Sequence, residues 1–265
     1  MRRPTLFLAG LWLCGCRPAP APDPLRTGTW IDLSHDFSVE TIYWPTAKPF
    51  ALEVVSAQRT PAGFYYAANN FSAAEHGGTH LDAPVHFAEG KLSADQIPLE
   101  RLVGQAVVVD VAAEADRNAD YLADVPALQR WEQAHGRIPD GAIVLFRTGW
   151  DARWPDRARY LGTTRTGPEA VPELHFPGLD STAARWLVAE RAVKAVGIDT
   201  PSIDYGQSTT FMTHRILFER DVPAFENVAH LDRLPPTGSF VIALPMKIKG
   251  GSGAPLRAIA VVPSM

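Results

Sequence analysis

The chain has 265 residues, of which 46% are hydrophobic and 20% are charged. This composition is that of a globular protein with a sizeable core, and it excludes a largely disordered chain. The formal net charge is −4. Binding to a nucleic-acid backbone requires a basic surface, so we expect no nucleic-acid partner. Both cysteines, Cys14 and Cys16, lie near the N-terminus. Any metal site in the rest of the chain must therefore use histidine, aspartate or glutamate.

The N-terminus, residues 1–16, predicts an export signal. Two arginines precede an apolar run from Leu6 to Leu13, which is too short to span the roughly 30 Å bilayer core as a helix but suits a signal peptide. Leu13 and Gly15 before Cys16 resemble a bacterial lipobox, in which the cysteine is acylated. We therefore expect an exported protein, periplasmic or a cell-envelope lipoprotein that meets the membrane only through its lipid anchor. A cytoplasmic protein with an apolar start is the alternative.

A proline-rich segment follows the signal, with alternating proline over residues 17–24. Alternating proline favours polyproline II, so this stretch is interpreted as a semi-rigid spacer. No linker interrupts the remainder, and we expect one domain over residues 25–265.

Histidines and one carboxylate are concentrated between residues 75 and 87. His76, His80, Asp82 and His86 all carry even numbers, and alternate side chains of an extended segment share a face. A helix is disfavoured by two glycines and a proline in the same stretch. Imidazoles and carboxylates are preferred by borderline divalent cations, so the pattern favours a metal site over surface histidines.

Beyond this segment, short runs rich in valine and isoleucine alternate with helical spacing. The runs predict buried strands at residues 106–111, 142–146, 195–198, 240–244 and 257–262. Predicted helices cover residues 125–135, stopped by Gly136, residues 182–191, with Ser181 as the N-cap, and residues 211–220. Strands mixed with a few helices indicate an α/β or α+β fold.

Other residues carry weaker signals. His214 and Glu226 are candidates for further metal ligands, although each could instead be a structural histidine or an exposed charge. Trp44 could form a flat wall for an aryl substrate or be a core aromatic at a strand end. Phe64 and Tyr65 could extend such a pocket or simply pack.

The segment from His76 to His86 resembles the H-x-G-T-H-x-D-x-P-x-H signature of the metal-dependent hydrolases called the cyclase family. This family includes bacterial kynurenine formamidases and isatin hydrolases, and every fixed position of the signature is matched. Similar stretches extend over most of the body: 32–34, 43–45, 147–150, 197–202 and 253–257.

The resemblance implies a fold and a ligand set. The implied fold is α/β, a swivelling β/β/α-type single domain with a mixed central β structure ringed by helices, usually dimeric. By position, it implies that His76, His80 and Asp82 hold a first metal. It also implies that Asp82, His214 and Glu226 hold a second. We thus expect one or two divalent ions, zinc or manganese, per chain.

The same resemblance implies the remaining roles and the reaction. His86 matches a general acid/base and Trp44 a residue on the substrate. The expected enzyme is a metal-dependent hydrolase of a C–N amide bond in a small aromatic substrate. The first alternative is arylformamidase-like, of the N-formylkynurenine type, and the second opens a cyclic amide such as isatin. A metal- or solute-binding lipoprotein is the non-enzyme alternative, but a pure binder has no need of His86 beside the metal.

Overall fold

The computed structural model describes residues 24–263, so the expected signal, Cys16 and nearly all of the expected spacer lie outside the described residues. Within this range, no helix is long and apolar enough to cross a membrane. The strands are β1 (Thr29–Asp32), β2 (Ala51–Arg59), β3 (Tyr65–Ser72), β4 (His80–Asp82), β5 (Val103–Asp110), β6 (Leu122–Ala123), β7 (Ile143–Arg147), β8 (Gly178–Leu179), β9 (Ala195–Ile198), β10 (Ala224–Glu226), β11 (Ser239–Pro245) and β12 (Gly253–Val262). The α-helices are α1 (Pro24–Thr27), α2 (Leu99–Leu102), α3 (Ala112–Arg117), α4 (Val125–His135), α5 (Arg157–Leu161), α6 (Ser181–Arg191) and α7 (Met212–Phe218).

The main sheet is mixed and closes on itself. Its strand order is β1–β12–β11–β5–β7–β9–β10–β4, and β4 also pairs with β12. The pairs β5–β7, β7–β9 and β9–β10 are parallel. The other pairs of the main sheet are antiparallel. The result is a barrel of seven strands with β1 added along β12. The prediction of a mixed central β structure with helices is confirmed.

The central strands bury both faces, which explains why they appear as continuous apolar runs. Val108 and Leu145 point into the barrel, whereas Val107 and Phe146 point outward to the core beneath helices α4 and α6. Alternate residues of one strand thus serve two cores. All five predicted strands are present, with bounds shifted by a few residues at most.

The helices agree with the sequence except at one cap. Helix α4 ends at His135, and Gly136 follows with a φ of 88°, as its position predicted. Helix α6 begins at Ser181, but its N-cap is Asp180, whose carboxylate accepts a hydrogen bond from the Thr182 amide at 2.7 Å. The prediction of Ser181 as the cap was therefore wrong by one residue, because the preceding aspartate supplies the acceptor.

Strands β2 and β3 form a separate two-stranded antiparallel sheet, called here the ribbon (residues 51–72). The sequence analysis did not identify it. Phe64 and Tyr65 are both more than half exposed on this ribbon, so the expectation that they line a pocket or pack in a core was wrong.

Candidate metal centre and active-site cavity

The pairing of two short strands brings the first polar side chains together. In the antiparallel register of β4 and β10, Glu226 lies directly opposite His80, which places both side chains on one face. Asp82 is two residues along β4 and shares that face. His214 enters from helix α7, and His76 comes from the segment before β4.

One triad consists of His76, His80 and Asp82, whose ligand atoms lie within 4.8 Å of one another. His76 Nδ1 is 2.7 Å from Asp82 Oδ1, and His80 Nε2 is 3.0 Å from the same oxygen. His80 and Asp82 are buried, whereas His76 is partly exposed.

A second triad consists of Asp82, His214 and Glu226, again within 4.8 Å. His214 Nε2 lies 3.2 Å from Asp82 Oδ2 and 3.1 Å from Glu226 Oε1. His80 Nε2 is 3.4 Å from Glu226 Oε2 and thus lies between the two groups. The triads therefore share Asp82, with one carboxylate oxygen facing each.

The outer nitrogen of each imidazole is held by the surrounding protein. His80 Nδ1 is 2.9 Å from the Gly78 carbonyl, and His214 Nδ1 is 2.6 Å from Asp204 Oδ2. Hydrogen bonds of these kinds fix the tautomer and direct the other ring nitrogen towards a metal. His76 is held differently, since its Nε2 lies 2.9 Å from Ser252 Oγ and its Nδ1 faces Asp82.

The donor set fits a divalent cation. Among the described residues, Asp82 and Glu226 form ion pairs with histidines alone, and no lysine or arginine side chain is paired with either. Two buried carboxylates need a counter-charge, because the desolvation of an unpaired charge is costly. Three oriented imidazoles and two carboxylates are a ligand set suited to zinc or similar ions.

The ionisation of the site reflects the same crowding of charge. Burial opposes ionisation of Asp82, yet the positive charges of His76 and His80 hold the pKa of its carboxyl well below the ordinary value. Burial and the Asp82 charge raise the pKa of Glu226. Burial alone would lower the pKa of His214, but hydrogen bonds to three carboxylates raise it well above the ordinary value. Protons thus occupy positions that a cation can take over.

His86 lies beside the triads without belonging to either. Its ring stacks on that of His76 with a centroid distance of 3.9 Å and lies 6.2 Å from that of His214. Burial lowers the pKa of His86 to about 4. The imidazole is therefore neutral near pH 7, and one of its ring nitrogens carries no proton.

A cavity of about 300 Å³ opens over these groups. Its polar end contains His76, His80, Asp82, His86, His214 and Glu226, and its walls include Trp44, Phe87 and Phe211. Trp44 also contacts Phe176 edge-on at 6.3 Å, so it is a cavity wall anchored in a small aromatic core. A pocket with apolar walls and polar groups at one end is the usual form of a small-molecule site.

One detail of the sequence reasoning about this segment was wrong. Only His80 and Asp82 share a strand face, because Pro84–His86 forms a 3₁₀ turn rather than extended chain. Gly77 lines the cavity, and a Cβ at this position would lie 2.1 Å from the ring of Tyr43. The four side chains converge through a loop, a strand and a turn.

Sequence reasoning missed several residues around the site. Asp204 supports His214, Ser252 contacts His76, and Phe87 and Phe211 line the cavity. Phe87 adjoins His86 in the sequence, which is a local signal. Asp204, Ser252 and Phe211 reach the site only through the tertiary fold and give no such signal.

Asp199 has a structural role. Its carboxylate accepts hydrogen bonds from the Thr148 amide at 2.8 Å, the Thr148 hydroxyl at 2.6 Å, and the amides of Gly149 and Trp150 at 2.8 and 3.2 Å. It thereby closes the turn after β7 against the end of β9.

Comparison with known proteins gives consistent results. The model of the Cyclase family matches residues 31–205. An isatin hydrolase from Roseibium aggregatum is 34% identical over 209 residues, which are 76% of this chain and 77% of that protein. A kynurenine formamidase from Salinibacter ruber is 30% identical over 236 residues, 86% of this chain and 95% of that protein. The solved structure of isatin hydrolase A from Ralstonia solanacearum has a TM-score of 0.80 at 39% identity and covers 88% of this chain and 92% of that one.

Proposed function

Because the chain belongs to the cyclase family of metal-dependent hydrolases, we propose that it hydrolyses the C–N amide bond of a small aromatic substrate. The observation that carries this proposal is the pair of triads sharing Asp82 at the polar end of an aromatic-walled cavity. The similar proteins carry names of hydrolases, which favours catalysis over the alternative of a binding lipoprotein.

His76, His80 and Asp82 would hold one divalent ion, and Asp82, His214 and Glu226 a second. When bound, such an ion supplies a Lewis acid that polarises an amide carbonyl and lowers the pKa of a water molecule. Nitrogen and oxygen donors without thiolate suit zinc and also manganese. We propose that each chain binds one or two ions of either metal.

His86 is proposed to move the protons. As a neutral imidazole beside the triads, it accepts a proton from water while the new C–O bond forms at the amide carbon. It then returns that proton to the amide nitrogen as the C–N bond breaks, giving a carboxylic acid and an amine. Stacking on His76 keeps its ring at the side of the metal ligands.

Trp44 and the two phenylalanine walls are proposed to hold the aromatic ring of the substrate. Flat apolar surfaces bind aryl groups and exclude bulk water from the reacting amide. The cavity volume of about 300 Å³ suits a substrate with one or two rings.

Two substrates fit this site. An aryl formamide of the N-formylkynurenine type is the first candidate, because Glu226 completes the second triad and the resemblance to formamidases implies that set. A cyclic amide such as isatin is the second, favoured by the 39% identity with an isatin hydrolase of known structure.

The test compares both substrates on metal-loaded protein and on two histidine variants. We expect turnover of at least one substrate, with the higher kcat/KM identifying the class. His86→Ala should lower kcat by about 10²- to 10⁴-fold with unchanged metal content. His175→Ala, which changes an exposed histidine, is the matched control and should leave kcat unchanged. No turnover of either substrate contradicts the function, and loss of metal from His86→Ala would make His86 a ligand.

The cellular location and the domain organisation of the chain are also proposals. The lipobox-like sequence supports a signal over residues 1–16, acylation of Cys16, a spacer over residues 17–24 and one hydrolase domain over residues 25–265 in the periplasm or cell envelope. Cys16→Ser should release the protein from the membrane fraction or block its processing; unprocessed wild type in the cytosol would contradict this. We further propose that the chain forms a homodimer, as the family resemblance implies.

A further inference from the structure

A second cavity, of about 350 Å³, adjoins the active-site cavity. Four residues line both cavities: Ile42, Tyr43, Trp44 and Ala47. The two cavities therefore meet along one short segment, which carries the proposed aromatic wall Trp44. A ligand in the second cavity contacts the same segment as a substrate in the first.

Much of the wall of the second cavity is apolar. Val39, Pro45, Pro49 and Pro155 contribute to its lining, in addition to the shared segment. Proline rings are rigid, so these residues form a preformed surface for the apolar body of a small molecule. The charged residues of the lining then determine which class of molecule binds.

Among the described residues of this lining, Arg157 is the only basic one. Two backbone carbonyls hold its guanidinium: Nη1 donates to the Tyr43 oxygen at 3.2 Å, and Nη2 donates to the Arg165 oxygen at 3.3 Å. Each of these two nitrogens carries a second N–H. A guanidinium fixed in this way presents the forked donors that match the two oxygens of a carboxylate.

Arg157 also lacks a counter-charge within the part of the chain that the structure describes. The ion pairs between arginine and carboxylate there all involve other arginines. The side chain of Arg157 is partly buried, its Nε has no hydrogen-bond partner, and burial lowers its pKa. A partly desolvated cation without a partner is unfavourable, and a bound anion compensates it.

Glu40 is the one carboxylate among the described residues of the lining. It is exposed, so water screens its charge and it leaves the guanidinium unpaired. Its presence beside a single arginine disfavours a ligand with two negative charges, such as a phosphate monoester. The cavity therefore fits a molecule with one carboxylate and an apolar body.

We propose that the second cavity binds a small carboxylate of this kind, with Arg157 holding the carboxylate group. Two sources share this chemistry. One is a side-chain carboxylate of the substrate itself, reaching past Trp44 from the active-site cavity. The other is a separate molecule, such as the carboxylate that amide hydrolysis releases. Only the choice between these sources rests on the proposed function; binding of a carboxylate at Arg157 does not.

Calorimetric titration of the zinc-loaded chain with benzoate tests the proposal, with benzamide as the uncharged counterpart. We expect benzoate to bind more tightly than benzamide. Arg157→Gln should raise the Kd for benzoate by about 10- to 100-fold. Arg157→Lys keeps the charge but loses the fork, so its Kd should lie between those of Arg157→Gln and the wild type. The control Arg159→Gln removes an exposed arginine from the same helix, α5, and should leave the Kd unchanged.

Two results overturn the proposal. Benzoate affinity that is the same in the wild type, Arg157→Gln and Arg157→Lys would place the anion elsewhere, on the zinc for instance. An equal loss of affinity in Arg157→Gln and Arg159→Gln would show a general effect of positive charge rather than a site. Circular dichroism and zinc content verify that the variants fold, and Arg157→Lys decides the outcome if Arg157→Gln does not.

N-formylkynurenine and its methyl ester distinguish the two sources. If the substrate's own carboxylate occupies the cavity, Arg157→Gln should lower kcat/KM for the acid by about 10-fold or more relative to the ester. If a separate carboxylate occupies it, that ratio should stay constant while benzoate binding is lost. Absence of turnover contradicts the proposed function, and the benzoate titration still decides whether Arg157 binds a carboxylate.

Discussion

Asp82 links the two halves of the site, because its oxygens face different groups. Oδ1 lies 2.7 Å from His76 Nδ1, whereas Oδ2 lies 3.2 Å from His214 Nε2. No other residue among those described belongs to both triads. The carboxylate therefore determines the charge and the spacing of the whole site.

We predict that Asp82→Asn removes metal from both triads. The amide keeps the volume but replaces one anionic oxygen with an amino group that cannot bind a cation. The affinity should fall by more than about 100-fold, the upper range for losing only an outer partner of a metal ligand. Elemental analysis and calorimetric titration measure this, with Asp120→Asn, a partly exposed carboxylate beside His175, as the control. Full metal content in Asp82→Asn would contradict the assignment.

Ser252 offers a finer prediction at the same scale. Its hydroxyl donates to Glu75 Oε2 at 2.7 Å and lies 2.9 Å from His76 Nε2, so it connects a carboxylate to a candidate ligand. Ser252→Ala should weaken metal binding by about 10- to 100-fold without loss of folding. The control is Ser56→Ala on the ribbon. Unchanged affinity would show that His76 needs no support from this side.

At the scale of elements, the sequence predicted strands with continuous apolar runs well and three-residue strands poorly. The run at Ala195–Ile198 was recognised because four consecutive residues are buried. Strands β4 and β10 have three residues each, too few to show a period. The site nevertheless depends on their register, so the ligands were predicted from residue type and family resemblance rather than from structure.

The ribbon shows a different limit of sequence reasoning. Its bulge shifts the alternation of β2 by one residue, so no single period runs through the strand. Its large apolar residues are also more than half exposed, so its strands do not have the two buried faces that produce a continuous apolar run.

The turn after β7 carries the prediction at this scale. In the variant Asp199→Asn, the side-chain amino group must face a backbone N–H of Thr148, Gly149 or Trp150. Both groups are donors, so a hydrogen bond is lost. We expect a loss of about 3 kcal/mol in unfolding free energy. Denaturant unfolding measures it, and the exposed Asp110 in Asp110→Asn should change stability by less than about 1 kcal/mol. An equal effect of the two variants would contradict the role of Asp199.

At the scale of the whole molecule, the site is a product of the closed barrel. Asp82 and His214 are 132 residues apart in the chain yet 3.2 Å apart in space. The second triad forms only when β4, β10 and α7 are in place, so the unfolded chain does not contain the complete site. Metal binding and global stability must therefore be linked.

This linkage predicts opposite pH dependences with and without metal. In the protein freed of metal by a chelator, burial of His80 and His214 opposes their protonation, but the neighbouring carboxylates raise the pKa of both histidines. A histidine with a raised folded pKa stabilises the fold below its unfolded pKa of about 6.5, and that stability is lost as pH rises through the folded value. The melting temperature with chelator should thus fall as the pH rises above about 6.5. Metal binding strengthens over the same interval, because the ligands must be deprotonated.

The measurement is Tm with metal and with chelator at several pH values in that window. The stabilisation by metal should grow with pH. In the metal-free protein, His214→Gln should reduce the fall of Tm with rising pH, whereas His175→Gln should leave that fall unchanged. His35, whose pKa is lowered to about 4 chiefly by burial, acts in the opposite sense but below this window. A chelated protein that becomes more stable towards pH 8.5 would show that protons on these histidines do not replace a cation between the buried carboxylates.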